Sequence, residues 1–412
     1  MTTPMRARRA VVAGGSLGGL FAANLLHRSG WDVHVYERVR DELSGRGAGI
    51  VTHPELLDIL QKAGVTIDTT IGVEVPSRVT LGRGGDIVGE RPRRQILTSW
   101  GRLYRLLRDA LPHDRYHAGK ALTTIEQDDR SVSAVFTDGE RVTGDLLVGA
   151  DGIRSTIRNL FLPDVKPVYA GYVAWRGLVE ERALTPATHA ALFERFAFCL
   201  PPHEQMLGYP VAGADDTTSP GSRRWNFVWY RPADEHTELR RLMTDAAGRH
   251  YPDGIPPMAI DPKIIREIRE TAERVLSPQF AEIVHRADQP FFQPIYDLES
   301  PRMVFGRVAL LGDAAFVARP HCGMGVTKAA SDALALTEAL ERSASHTEAL
   351  AVFDEARVRF GTAVVARARQ LGAYMQAQIR TAEEREMAER YRTPEAVMRE
   401  TAVSDGLSER AA

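Results

Sequence analysis

The 412-residue chain reads as an α/β (α+β) protein, and three observations predict that class. First, residues 10–13 form a short apolar run, followed by glycines at 14, 15, 18 and 19, a helix-periodic stretch over 17–29 and an alternating stretch over 31–37. This spacing describes a strand–helix–strand unit with a glycine-rich first turn. Second, residues 121–126, 131–136 and 141–148 have strand character, with Asp138-Gly139 as a hairpin signal between the last two. Third, from about residue 169 to 290 aromatic-rich strand segments, such as 224–230, alternate with Pro- and Gly-rich loops. The expected architecture is a nucleotide-type domain with an antiparallel insertion, a second domain built on a sheet, and C-terminal helices.

In the first unit Val11 and Val12 centre a buried strand, and Gly30 ends the helix. Val33 and Val35 alternate with His34 and Tyr36 along the second strand. Gly14 permits a tight turn and Gly19 lets the helix pack closely on the strand. Ser16 stands at the middle position of G-x-G-x-x-G, so a side chain lies where backbone normally approaches a pyrophosphate. Free N–H groups around Gly15, Ser16 and Leu17 still favour a phosphate at the helix start. Glu37 ends the second strand about 20 residues later, where a carboxylate accepts from ribose hydroxyls. A plain structural glycine turn is the competing reading, and the placement of Glu37 favours a nucleotide. Arg6, Arg8 and Arg9 before an apolar run imitate a secretory leader, but the glycines interrupt that run.

The insertion leads into Asp151-Gly152, where Asp151 is either a ligand contact or a helix cap for the turn carrying Ser155 and Arg158. Residues 304–311 predict a strand that returns to the first domain and ends in Gly312-Asp313. There Asp313 either accepts a hydroxyl or caps a helix. Gly323 and Gly325 allow backbone to touch a flat ring. Residues 327–341 and 348–380 predict helices, and a polar tail from Thr381 carries a helix start at Pro394. The expected domains are 1–73, 95–168 and 290–345; then 74–94 and 169–289; then 346–412 as C-terminal helices and tail.

A formal charge of −2 argues against a dedicated nucleic-acid binder. Cys199 and Cys322 alone make neither a disulfide framework nor a zinc site, so a reducing, cytoplasmic setting is expected. No apolar stretch is long enough to span a membrane.

A Gly-rich N-terminus, a central Asp-Gly and a late Gly-Asp, in this order, resemble the single-component FAD-dependent aromatic hydroxylases of the para-hydroxybenzoate hydroxylase type. The resemblance covers residues 10–340 and includes Gly47-Ala48-Gly49-Ile50 and the segment from Gly171 to Gly177. Ser44-Gly45, Pro54-Glu55-Leu56, Thr98-Ser99 and Arg319-Pro320-His321 are similar to the subgroup that hydroxylates N-heteroaromatic rings of the hydroxypyridine type. The chain departs from many members at Ser16, at Trp100 in place of Arg, and at Phe316 in place of His.

The resemblance implies a Rossmann-like FAD-binding domain and a sheet-based substrate domain. It implies bound FAD, transient NADH or NADPH, and O₂ as co-substrate, with hydroxylation of a hydroxylated ring through a flavin C4a-hydroperoxide. It also implies a homodimer. Gly14, Gly15, Ser16, Leu17, Gly19 and Glu37 are the expected FAD contacts of the first turn, with Arg38, Arg46, Trp100, Arg102, Leu122 and Asp151 beside them. Asp313, Pro320, Gly323, Met324, Gly325 and Val326 are the expected contacts of the late segment. His321 and His53 are the expected proton-transfer groups, poised near neutral pH. His53, His321 and Tyr209 are candidate substrate contacts, with a core-edge role equally open to Tyr209; Trp225 either packs beneath the pocket, the favoured reading, or lines it as a substrate contact, and Cys322 is a small loop residue. The alternative functions are the same chemistry on a phenolic or polycyclic ring, and a flavin-fold binding protein without redox chemistry.

Overall fold

The computed structural model describes residues 8–41, 43, 49–68 and 71–404. Arg46, with Ser44-Gly45 and Gly47-Ala48, lies outside the described residues.

Six strands form the first sheet, in the order Val304–Phe305, Val308–Leu310, Leu146–Gly149, Arg9–Ala13, Asp32–Glu37, Tyr116–Ala118. All pairings are parallel except the first. Their register puts Leu310, Gly149, Ala13 and Tyr36 in one row, so four strands end together. Helix Leu17–Arg28 buries Leu20, Phe21, Leu25 and Leu26 against this sheet and the helix Gly325–Arg342.

Two expected strands are corrected. Residues 141–148 divide into Arg141–Gly144, which pairs with Val132–Phe136 in the three-stranded insertion, and Leu146–Gly149, which joins the main sheet. The break falls at Asp145, whose carboxylate accepts the Arg9 N–H at 2.7 Å. Residues 304–311 form a tight hairpin turned at Gly306, where φ is +62°. A residue with a Cβ adopts that conformation only at a cost.

The second sheet has nine strands, including Val168–Glu180, Gln205–Val211 and Arg224–Pro232, and it also takes in Gly49–Thr52 and Phe291–Glu299. Successive side chains point to opposite faces. Trp175, Trp225, Phe227 and Trp229 pack on the outer face with helices Pro262–Val275 and Pro278–Arg286. Tyr172, Ala174, Tyr209, Val228 and Tyr230 line the inner face.

The C-terminal region covers part of that inner face. Helix His346–Gly372 stops well short of residue 380, and its last residue packs closely: a Cβ at Gly372 would lie 2.6 Å from the Tyr172 hydroxyl and 3.0 Å from the His321 ring. The next turn, Ala373–Met375, buries Tyr374 and Met375. Beyond Thr381 the chain is a packed pair of helices, Ala382–Tyr391 and Pro394–Glu400, rather than a loose tail. Thr381 and Glu384 close a capping box on the first. Tyr391, Val397, Met398 and Ala402 anchor the segment in the core. Among the described residues, no helix is long and apolar enough to cross a membrane, and no group of three or more acidic, His or Cys side chains could hold a metal.

Candidate active site

The common row of strand ends explains how distant motifs meet. Gly14, Glu37, Asp151 and Asp313 each lie one to three residues beyond that row, on four adjacent strands. Open parallel sheets bind ligands at these carboxyl ends. Gly14 has φ +108°, and a Cβ there would lie 2.9 Å from the Asp151 nitrogen and closer still to the Ala150 carbonyl. A Cβ at Gly19 would strike the Gly14 carbonyl. The Glu37 carboxylate accepts the N–H groups of Gly15 at 2.7 Å and Val39 at 2.9 Å, which fixes the turn. Ser16 caps the helix by position, yet its hydroxyl makes no capping bond; Leu17 is buried behind it. Tyr116 backs Gly15, and nothing in the sequence marked it: a Cβ at Gly15 would lie 2.6 Å from its ring.

A cavity of about 300 Å³ opens here, lined by Gly14, Ser16, Glu37, Trp100, Leu122 and Asp151 among others. Arg38 and Lys120 are the basic groups on its wall. Arg102 is drawn to Asp216 instead, at 3.3 Å. Trp100 stacks on Tyr104 with ring centroids 5.2 Å apart.

Ser155, rather than Asp151, is the cap of helix Thr156–Phe161, accepting the Arg158 N–H at 2.8 Å. Asp151 adds one bond, accepting the Ile157 N–H through Oδ2 at 3.2 Å. Its Oδ1 is buried and has no partner among the described residues. Burial pushes this carboxyl above the ordinary aspartate range. Arg158 then ties the central and late motifs together, donating to the carbonyls of Ala314 at 3.0 Å and Ile153 at 2.7 Å.

The late motif rests on a charged group that sequence reasoning missed. Lys328 and Asp332 stand one turn apart on helix Gly325–Arg342. Asp332 accepts the Gly312 N–H at 3.0 Å and Lys328 Nζ at 2.8 Å, and Lys328 also donates to the Gly312 carbonyl at 3.1 Å. Arg357 completes the group at 2.7 Å from Asp332. These contacts hold Gly312 at φ +60° and so aim Asp313. Asp313 is surrounded by many protein atoms, yet its side chain is exposed. Burial pushes its carboxyl up, and the Lys328 charge pulls it down less strongly.

Past Asp313, Pro320–Cys322 makes a 3₁₀ turn closed by Gly323 at φ +68°. A Cβ at Gly325 would meet open space, so backbone is exposed to a ligand at the helix start formed by Met324, Gly325 and Val326. His321 is 1% exposed and lies between two tyrosines. Its Nε2 pairs with the Tyr172 hydroxyl at 2.7 Å, and its ring centroid is 4.4 Å from that of Tyr230. Nδ1 has no partner among the described residues. Burial, with the Arg319 charge, pulls its pKa down to about 3. His53 is 3% exposed, pairs through Nδ1 with the Thr327 hydroxyl at 2.9 Å, and is also pulled down by burial. The expectation of a histidine poised near neutrality is therefore corrected for His321, and burial shifts His53 in the same direction. Cys322 is likewise quiet, its thiol pushed up to about 11 by burial.

Tyr209 and Asn226 face each other across adjacent strands on the inner face. Gly49 lies against both: its N–H donates to Asn226 Oδ1 at 3.0 Å, and a Cβ there would lie 2.8 Å from the Tyr209 hydroxyl. The Arg176 charge acts on both Tyr209 and Tyr230. Arg176 Nε and Asn226 Nδ2 are buried donors with no partner among the described residues. Trp225 is corrected as a substrate contact. It precedes Asn226 by one residue, so the alternation of the strand turns it to the outer face against Phe193, with centroids 5.6 Å apart. Asn226 and Arg176 carry no signal of their own in the sequence, because the aromatics around them dominate its composition.

These features fit FAD. A glycine turn that no Cβ could enter adjoins a cavity with the unpartnered Asp151 Oδ1, and the exposed Asp313 follows further along the same row of strand ends.

A family model described as FAD binding domain matches residues 8–166, and one described as FAD binding domain-like matches residues 169–297. The chain is 33% identical to the 2,6-dihydroxypyridine 3-monooxygenase of Paenarthrobacter nicotinovorans over 371 residues, 89% of this chain and 91% of that protein. The solved structure of 2,6-dihydroxypyridine-3-hydroxylase from Arthrobacter nicotinovorans matches with a TM-score of 0.84 at 33% identity, covering 91% of this chain and 94% of that one. The structure of Klebsiella pneumoniae HpxO complexed with FAD and uric acid matches with a TM-score of 0.74 at 25% identity, covering 98% and 96%.

Proposed function

The chain belongs to the family of single-component FAD-dependent aromatic hydroxylases, and we propose that its own substrate is a hydroxylated N-heteroaromatic ring of the hydroxypyridine class. FAD, reduced by NADH or NADPH, supplies the means of transferring one atom of O₂ to such a ring. Gly14 to Gly19, Glu37, Arg38 and Asp151 hold its nucleotide end in this reading, and Asp313 with Pro320 to Val326 hold its ring end.

The observation that carries the substrate class is the pair of unpartnered donors, Arg176 Nε and Asn226 Nδ2, beside Tyr209 on the inner face. Buried donors without partners are costly, so they favour a ligand that brings acceptors. The ring oxygens and nitrogen of a hydroxypyridine are such acceptors. A guanidinium also favours the ionised ring, in which the carbon to be hydroxylated is more electron-rich. His321, held neutral by burial, then orients the ring or its proton by hydrogen bonding rather than by carrying charge, and His53, shifted the same way, stands beside it. Tyr230 joins the two surfaces, since its ring sits on the inner face and against His321.

FAD-loaded protein incubated with a panel of hydroxypyridines and either nicotinamide should give a product one oxygen atom heavier, with NAD(P)H consumed in step. Arg176→Met should raise KM roughly tenfold or more with less effect on kcat, as expected for a lost charge-assisted contact of about 1.5–3 kcal/mol. Fast oxidation that yields only H₂O₂ with every hydroxypyridine would overturn the substrate assignment.

A further inference from the structure

We propose that residues 401–404 are a strap that seals the ring end of the site, and that Arg78 is the positioning residue that clamps it. The proposal rests on the functional reading above for its consequence, but not for its geometry.

Arg78 lies in strand Val73–Leu81 and is fully buried. Its guanidinium donates to the carbonyls of Met398 and Thr401, each at 2.7 Å, and more distantly to Ala402 at 3.4 Å. Gln95 orients it from the neighbouring strand, its Oε1 accepting from Arg78 Nε at 2.8 Å and Nη2 at 2.6 Å. Several backbone acceptors are thus gathered on one planar fork, an arrangement that a lysine cannot copy.

The clamped segment runs directly over the candidate site. The Ala402 N–H donates to the His321 carbonyl at 2.7 Å. A Cβ on Gly323 would lie 3.1 Å from Ala402 Cα and 3.4 Å from the His53 ring. Ser404 Oγ then reaches both carboxylate oxygens of Glu55 at 3.3 Å, two residues beyond His53. Thr401, Ala402 and Ser404 are each under 8% exposed, so the segment is packed rather than laid on the surface. Ala402 holds φ +55°, a left-handed conformation that a residue with a Cβ adopts only where the surroundings enforce it. One short piece of chain therefore packs on the Gly323 turn and beside His53, held by a side chain more than three hundred positions earlier in the sequence.

The test compares the full chain with Arg78→Lys and with a protein ending at Glu400, which keeps both C-terminal helices. Modification of His53 by diethylpyrocarbonate, mapped by mass spectrometry, needs no turnover. It should quicken tenfold or more in both variants while FAD stays bound. In turnover, the fraction of NAD(P)H oxidation that yields hydroxylated product should fall severalfold, with H₂O₂ making up the difference. Unchanged labelling would overturn the strap whatever the substrate is. Faster labelling with unchanged coupling would overturn its role in the reaction. A full chain that hydroxylates no hydroxypyridine would sink the substrate reading, and the labelling result would still decide the strap. If Arg78→Lys fails to fold, the shortened protein carries the comparison.

Discussion

At the scale of single residues, burial has set the chemistry of the site more strongly than residue type. A histidine in solution titrates near 6.5, whereas His321 is pulled down to about 3 by burial. Between those values the unfolded chain binds a proton there that the folded chain does not, so stability from this group is full above about 6.5 and is lost as pH falls towards 3. One such proton is worth about 1.4 kcal/mol per pH unit, or about 2 kcal/mol between pH 6.5 and 5. Asp151 and Asp313, whose carboxyls are pushed up, slope the other way. The informative measurement is therefore a difference: urea denaturation of the parent and of His321→Asn at pH 5 and pH 7. The variant should be less stable at pH 7, where it loses a well-set bond to Tyr172, and should lose less of its stability on acidification. Parallel losses would show that His321 does not resist protonation.

At the scale of elements, the strand alternation decides which side chains can reach a ligand, and it separates Trp225 from Asn226. Trp225→Phe should reduce stability by roughly 1–3 kcal/mol through lost packing on the outer face, and leave KM for the aromatic substrate unchanged. Asn226→Ala should raise KM severalfold, because Asn226 holds the Gly49 N–H as well as facing the site. Thermal melts and steady-state kinetics on the two variants check this pair, and the reverse pattern would mean the faces are exchanged. The same elements show what the sequence made legible. The first strand–helix–strand unit, the hairpin at Asp138-Gly139 and the late Gly-Asp stand out because local glycines and period-two alternation specify them. The break at Asp145 and the hairpin at Gly306 do not, because each apolar run changes sheet partner without changing composition. Thr381-x-x-Glu384 was a readable capping signal in a stretch whose polarity suggested a tail. Lys328, Asp332 and Arg357 could not be read at all, since only the folded chain brings their charges to Gly312.

At the scale of the whole molecule, four adjacent strands ending in one row gather ligand-facing groups from residue 14 to residue 313. A ligand that spans this row cross-links segments that the chain connects only through the intervening insertion and second sheet. Binding to the folded state alone stabilises it by RT ln(1 + [L]/Kd), about 2.7 kcal/mol at one hundred times Kd. FAD added to stripped protein should therefore raise Tm by several degrees and protect the insertion from limited proteolysis. ADP reaches only the cavity between Gly14, Glu37 and Asp151, so it should give a smaller rise. Asp313→Ala should then remove most of the difference between FAD and ADP while leaving the ADP response intact, because Asp313 lies on the far strand, beyond Leu310. Equal shifts with FAD and ADP in the parent protein would mean that the late Gly-Asp segment takes no part in holding the cofactor, and that the shared row of strand ends serves the fold alone.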